Sequence, residues 1–422
     1  MDLLFKNCNI ITMTDEGIVK NGFIGITNGE IVYLSETAPQ DPAKRTVDLG
    51  GKLILPGFIN THTHAAMTLM RGVADDLSLQ NWLNNHIFPI EEKLTSNSIY
   101  HGTLAALCEM IASGTTTFCD MYFLEDAVAK ATEQSKIRAH LSRCLSGMED
   151  LADYSEKPCV REAHELTEKY KNHDRIKIDT SVHAIYTSSP RFLEYAAELA
   201  FQNKSNMHIH ISETEFENNE CKTKYGLTPT QYLCKLGYFR TNTYAAHCVY
   251  LEEKDIEIFA ENGVSIAHNP TSNLKLASGI APITTYMSKG INVSLGTDGA
   301  ASNNNLNMLN EVRLAALLHK GTTKNPCAVS AKDALSMATT AGATAIGRTD
   351  IGSLKLGNRA DLIVVDQSMP NMTPMFDQIS AIVYSASAEN IVSTMVDGEF
   401  LMENKEFKTL DFEKIRYNIN NL

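Results

Sequence analysis

Two histidines one residue apart, His62 and His64, close the segment Pro56-Gly57-Phe58-Ile59-Asn60-Thr61-His62-Thr63-His64. In an extended strand, side chains at i and i+2 share a face, so the two imidazoles can be presented to one ion. An HxH pair alone is weak, because two polar residues on a surface strand look the same. It gains weight from His210, His247 and Asp298, each ending a short apolar run, the last within Gly296-Thr297-Asp298-Gly299. Imidazole nitrogens with one carboxylate oxygen suit a borderline divalent cation such as zinc and leave a coordination position for water. That is the donor set of a hydrolytic site rather than a structural one. His208, two residues before His210, faces the same way in a strand, so spacing leaves open which is the ligand; a packed or supporting role is the preferred reading for His208.

Positioning these groups requires strands that all end at one place. Short β-rich runs recur at Leu53–Asn60, Thr115–Met121, Ile137–Arg143, Ile176–His183, Met207–Ser212, Thr243–Val249, Ser265–Asn269 and Asn292–Asp298, with helix-like segments such as Tyr100–Ala112, Arg191–Gln202 and Asp255–Asn262 between them. Alternating strand and helix implies a parallel sheet, and this number of units predicts an α/β fold, a closed (β/α)8 barrel spanning residues 53–352. The runs deliver His62 and His64, Asp120, Arg143, His183, His210, His247, His268 with Asn269, and Asp298 at their C-terminal ends, the face on which such barrels build active sites. A polar residue at one strand end merely marks a loop; a His-rich set at every strand end does not.

The outer segments lack this rhythm. Residues 1–52 hold short strands broken by Asn21-Gly22, Asn28-Gly29 and Gly50-Gly51, and after about residue 353 come Asp361–Asp366, Ile379–Ser385 and Ile391–Asp397, all read as strands. Neither end has enough strands for a stable sheet alone, so residues 1–52 and 353–422 are expected to combine into one small β-sandwich.

Composition narrows the function classes. The chain has 37 basic and 50 acidic residues, a net charge of −13 without a basic cluster, which argues against nucleic-acid or anionic-membrane binding. No apolar run approaches the ~20 residues of a membrane span, and Asp2 and Lys6 interrupt the N-terminal run as no signal peptide would be interrupted. Nine scattered cysteines without a CxxC pair read as reduced thiols of a cytoplasmic protein. The HxE and PCxxC pattern of cytidine-deaminase-type zinc sites is absent, so any deaminase chemistry rests on the barrel.

The HxH segment, His210 followed by Glu213, His247, Gly-Thr-Asp298 and the late Gly352-Ser353-Leu354 and Arg359-Ala360-Asp361-Leu362 resemble the amidohydrolase superfamily along essentially the whole chain. The stretch Met67–Leu94, with Arg71-Gly72, Trp82 and Pro89-Ile90-Glu91, and the stretch from His268 to Leu276 resemble the methylthioadenosine/S-adenosylhomocysteine deaminases, parts of which chlorohydrolases share. The resemblance implies one divalent ion per chain, zinc foremost with Fe2+ and Mn2+ as the other candidates, on His62, His64, His210 and Asp298, with His247 close by. It implies one ion because the fourth run ends in His183, where two-metal relatives carry a bridging lysine, and its Lys177 lies at the other end.

The implied reaction is hydrolytic deamination of a 5′-modified adenosine to its hypoxanthine product, with Glu213 shuttling a proton to ring N1, His247 orienting the nucleophile and Asp298 accepting a proton. Glu91 is expected on the ribose hydroxyls, Trp82 over the 5′ group, Arg143 and His183 on the ligand and Ser302 near the purine. The second arginine that relatives often carry a dozen residues after the first is absent from Leu151-Ala152-Asp153-Tyr154-Ser155, which favours neutral 5′ substituents. The partner is then a small nucleoside, and a homo-oligomer is compatible with it. The competing readings are an aminohydrolase or chlorohydrolase of another heterocycle, such as guanine or a triazine, and a non-catalytic barrel scaffold.

Overall fold

The computed structural model describes all 422 residues. The parallel sheet consists of β1 (Phe58–Thr63), β2 (Thr115–Tyr122), β3 (Arg138–Leu145), β4 in two segments (Ile176–Ile178 and Thr180–Val182), β5 (Met207–Ile211), β6 (Thr243–His247), β7 (Ser265–His268) and β8 (Val293–Leu295). They run in sequence order across the sheet. The last side meets the first through side-chain and backbone bonds: Thr61 Oγ1 donates to the Leu295 carbonyl at 2.9 Å, Asn60 Nδ2 donates to Thr297 Oγ1 at 2.7 Å, and the Asp298 N–H donates to the His62 carbonyl at 2.9 Å. Closure therefore brings the HxH strand against the Asp298 loop.

The two termini build one mixed sheet whose path runs from Glu406–Phe407 through Glu399–Glu403, Ile391–Val396, Leu362–Val365, Leu53–Pro56, Leu3–Ile11 and Ile18–Thr27 to Glu30–Ser35, with Arg45–Asp48 alongside Leu3–Ile11. It curls into a sandwich-like unit, because Phe5 and Phe400, far apart along that path, meet edge to face at 6.0 Å. Phe5, Ile10, Ile24, Ile54, Leu362 and Met395 fill the core between its faces. Asn28-Gly29 forms the expected two-residue hairpin, both residues at positive φ.

Three expectations shift. Asn21-Gly22 lies within a strand beside a bulge instead of at a turn. The run read as strand Ile379–Ser385 is a helix, Gln378–Tyr384, capped by Asp377, whose carboxylate accepts the Ser380 N–H; a short apolar run does not distinguish the two states. The first run splits: Leu53–Pro56 pairs with Leu362–Val365 in the terminal sheet, and only Phe58–Thr63 enters the barrel. Gly57 lies between, where a Cβ would sit 2.0 Å from Thr116 Cγ2. We propose Gly57 as the junction of the two units.

A buried ion network ties them together. Arg138 in β3 donates to both Asp361 oxygens at 2.7 and 3.1 Å and to Asp397 at 2.6 Å, and Arg175 reaches Asp397 at 2.8 Å. Removing one member of such a cluster leaves a buried charge uncompensated, typically at 3–5 kcal/mol. Asp361, singled out by the Arg-Ala-Asp motif, is thus a clamp on the barrel rather than part of the site. No helix is long and apolar enough to cross a membrane.

Candidate active site

At the C-terminal ends of β5, β6 and β8 the chain leaves the strand through left-handed backbone: Ser212 at φ 51°, His247 at 70° and Asp298 at 61°. Non-glycine residues adopt this conformation at a cost of roughly 1–2 kcal/mol, and such residues cluster at functional sites. Here the turn directs His247 and Asp298 into the barrel mouth.

There the predicted groups converge. Asp298 Oδ1 lies 3.4 Å from Nε2 of both His62 and His64, and His210 Nε2 lies 3.3 Å from His64 Nε2. The ligand atoms of His62, His247 and Asp298 also fall within 4.8 Å of one another. Tautomers follow from the outer nitrogens. His64 Nδ1 donates to the Met121 carbonyl at 2.6 Å and His210 Nδ1 to the His183 carbonyl at 2.7 Å. In the neutral rings both Nε2 atoms are then unprotonated, so two lone pairs face each other at contact distance, an arrangement that repels unless a cation lies between them. His62 Nε2, aimed at the same point, is buried with no hydrogen-bond partner. Separations of 3.3–3.4 Å are what ligand bonds of about 2.0–2.1 Å give in a tetrahedron. The residues fit a divalent ion.

The electrostatics agree. Burial holds His62 down at about 4, although Asp298 pulls the other way. Burial acts to raise the Asp298 carboxyl, yet the close approach of His62, with the neighbouring His64 and His247, holds it well below the usual carboxylate range. Burial raises Glu213, partly offset by His247; burial disfavours charge on His247, but Glu213 and Asp298 together raise it. Glu213 Oε2 stands 3.8 Å from His247 Nε2.

Around the cluster the pocket is lined by Met67, Leu79, Trp82, Leu83, Ile87, Phe88, Glu91, Tyr122, Phe123, Cys144, His183, Tyr186, Glu213, Leu276 and Ser302, among others. Trp82, Glu91, His183, Glu213, His247 and Ser302 thus line one pocket. Ser302 donates to Asp298 Oδ2 at 2.9 Å, so it braces the carboxylate as well as facing the cavity. Arg143 is not gathered. It pairs with Glu162 at 2.5 Å in a separate depression lined by Glu125, Asp126, Glu165 and Lys169, while its neighbour Cys144 lines the pocket. Successive residues of a strand face opposite sides, and β3 presents the cysteine.

Several contributors escaped the sequence reading. Asn273 Oδ1 accepts His247 Nδ1–H at 2.8 Å, leaving Nε2 to face the cluster, and Ser272 donates to Asp298 Oδ2 at 2.6 Å. Both lie in the stretch from His268 to Leu276, so the signal was present without a role. Glu217 accepts the N–H groups of Ser212 and Glu213 at 3.1 and 2.9 Å and fixes the turn carrying Glu213; in sequence it is one more acid on a polar helix. Tyr122 donates to Glu91 at 2.6 Å from the end of an apolar run. His208 lies behind the cluster, its Nε2 against the far nitrogen of His62 at 2.8 Å.

A nearly closed parallel barrel with three histidines and one aspartate at its mouth defines a class, and the amidohydrolase family profile matches residues 53–401. The chain belongs to that family. It is 44% identical to a 5-methylthioadenosine/S-adenosylhomocysteine deaminase of Acetivibrio thermocellus, over 99% of this chain and 98% of that protein. It is 45% identical to a 5′-deoxyadenosine deaminase of Methanosarcina acetivorans, over 98% and 96%. Its structure is similar to that of an adenosine deaminase from Xanthomonas campestris with bound zinc, with a TM-score of 0.96 and 33% identity over 100% of this chain and 97% of the other.

Proposed function

We propose that the protein hydrolyses the 6-amino group of 5′-modified adenosines, releasing ammonia and leaving the hypoxanthine nucleoside, with methylthioadenosine and 5′-deoxyadenosine preferred over S-adenosylhomocysteine. The convergence of unprotonated Nε2 atoms on Asp298, beside a buried Glu213, carries the reading. The named relatives support the substrate class. His62, His64, His210 and Asp298 would hold the ion, and zinc is the choice favoured by this donor set and by the zinc-bound relative. A divalent cation there supplies the acidity that makes water nucleophilic near neutral pH.

The chain's own groups do the rest. Asp298, held by Ser272, Ser302 and the Gly299 N–H, accepts a proton from the attacking water. Glu213, whose raised carboxyl is suited to both giving and taking a proton, in its protonated form delivers its own proton to ring N1 as water adds to C6. His247, fixed by Asn273, stabilises charge on the new oxygen. The C6–N bond then breaks: the amino group takes the proton held on Asp298 and leaves as ammonia, the C6 hydroxyl returns its proton to Glu213, and a carbonyl remains at C6. Glu91, which accepts a hydrogen bond from Tyr122, would take the ribose hydroxyls, His183 the base, and Trp82 with its apolar neighbours the 5′ group. No lysine or arginine lines the pocket, so a homocysteinyl carboxylate finds no charge-assisted partner there, a loss of about 1.5–3 kcal/mol. The unpaired cysteines support a cytoplasmic setting.

A panel of adenosine, methylthioadenosine, 5′-deoxyadenosine, S-adenosylhomocysteine, guanine and a chlorotriazine tests this, read by ammonia release and ultraviolet change. Methylthioadenosine or 5′-deoxyadenosine should exceed S-adenosylhomocysteine by about tenfold or more in kcat/KM, the low end of that energy. Faster turnover of guanine or the triazine than of every adenosine overturns the proposal.

A further inference from the structure

Each cluster histidine that offers Nε2 must carry its proton on Nδ1, and that proton needs an acceptor. For His64 and His210 the acceptors are backbone carbonyls, at 2.6 and 2.7 Å. For His62 it is a side chain: Nδ1 lies 2.8 Å from His208 Nε2, with the rings edge to face at 4.9 Å. A carbonyl can only accept, whereas an imidazole nitrogen can also donate. If His208 donated from Nε2, the proton of His62 would move to its own Nε2 and block the cluster.

We propose that His208 is a positioning residue which, as the Nδ1–H tautomer, accepts the His62 Nδ1–H bond and thereby keeps His62 Nε2 free to bind the ion. Packing in the barrel interior holds the ring, whose Nδ1 has no hydrogen-bond partner. The His208 ring lies over Tyr244 at 4.3 Å with an angle of 33°, and the Tyr244 hydroxyl donates to Asp179 at 2.9 Å. Asp179 is itself anchored by His140 at 3.0 Å and Asn206 at 3.0 Å. The chain of contacts thus runs from the cluster into the polar centre of the barrel, and His208 is the one acceptor of the three that a substitution can remove.

This assignment rests on the reading of the cluster as a metal site, so its test reads metal binding rather than turnover. Zinc dissociation constants are measured by chelator competition for the parent, His208→Leu and His208→Gln. Leucine fills the space without an acceptor, and glutamine can place an oxygen near the Nε2 position. His208→Leu should weaken zinc binding 10- to 100-fold, the usual cost of losing such a support, and His208→Gln should stay within about threefold of the parent. In the cobalt-substituted protein, the exchangeable, hyperfine-shifted N–H resonance of His62 should be lost or displaced in His208→Leu and kept in His208→Gln.

Equal zinc affinity in His208→Leu and parent overturns the assignment alone. So does equal weakening in both variants, which would make the role one of packing. Should the leucine variant fail to fold, the glutamine variant decides, retained affinity supporting the assignment and a tenfold loss overturning it. A parent that binds no zinc overturns the metal reading itself and this assignment with it.

Discussion

The two ends of the pocket are built on different principles. At the inner end the backbone does the placing: β1, β5, β6 and β8 each bring one or two side chains to the barrel mouth, and fixed partners such as Met121 O, His183 O, Asn273 and Ser272 set the orientation of the ring or carboxylate. At the outer end, Leu79, Trp82, Leu83, Ile87 and Phe88 come from short helical turns between Leu79 and Glu91 and contribute apolar surface. Moving a group at the inner end removes a bond that nothing else supplies. Moving one at the outer end changes shape and area, which neighbours partly restore. Chemistry should therefore be brittle to substitution and selectivity graded.

Glu213→Gln makes the sharpest break. Glutamine keeps the size and can still donate a hydrogen bond to ring N1, but it cannot deliver the proton. We expect kcat to fall about 10²–10⁴-fold, with zinc content by elemental analysis unchanged, because no ligand atom is altered. Loss of zinc would give Glu213 a ligand or folding role, and near-normal turnover would assign protonation to His247 or water. At the outer end, Trp82→Ala should behave in the opposite way. It removes binding surface common to ground and transition states, so KM for methylthioadenosine should rise about tenfold while kcat stays within about threefold. A kcat loss as large as that of Glu213→Gln would mean that the two ends are not separable.

The same division explains what the sequence disclosed. The inner end was partly readable because strand periodicity and ligand chemistry constrain residue types: they marked His62, His64, His210, His247 and Asp298 as candidates, whereas the choice of His210 over His208 and the ligand set itself came with the family resemblance. The acceptors behind them were harder to see, since two are backbone carbonyls without any side-chain signature and Asn273 is an ordinary polar residue until the fold folds it under His247. Arg143 shows the limit most clearly. A strand-end position next to a pocket residue leaves two faces open, and pairing with Glu162 on the far face follows from a helix, Pro158–Tyr170, whose packing no local pattern announces. Arg143→Met should accordingly change kcat/KM for methylthioadenosine, and its ratio to that for S-adenosylhomocysteine, by less than about threefold, well under the 1.4 kcal/mol that a factor of ten represents. A selective tenfold loss on S-adenosylhomocysteine would show that the guanidinium turns into the pocket when a carboxylate arrives, and the outer end would then contain a charged contact after all.

The smallest effect concerns a brace behind the inner end. Glu311, buried in the helix Met308–Thr323, accepts the Thr271 N–H at 3.2 Å and Asn303 Nδ2–H at 2.9 Å, and Asn303 also donates to the Thr297 carbonyl at 2.7 Å. It thus joins the loop carrying Ser272 and Asn273 to the loop carrying Asp298. Burial pushes its carboxyl up to about 7 from an ordinary 4.5, with the Thr271 and Asn303 bonds pulling the other way. The folded chain therefore holds this proton more tightly than the unfolded chain does. The resulting stability is present in full below pH about 4.5 and is lost as the pH rises through about 7. Glu311→Gln imitates the protonated acid at every pH. In metal-free protein, the melting temperatures of variant and parent should coincide near pH 4, and the variant should lie about 3–4 °C above the parent at pH 8. Comparing the two proteins cancels Glu217, which burial also raises to about 7. Parallel curves would show that Glu311 does not titrate in this window, and a parent more stable than the variant at pH 8 would mean that the ionised carboxylate is what holds the two loops together.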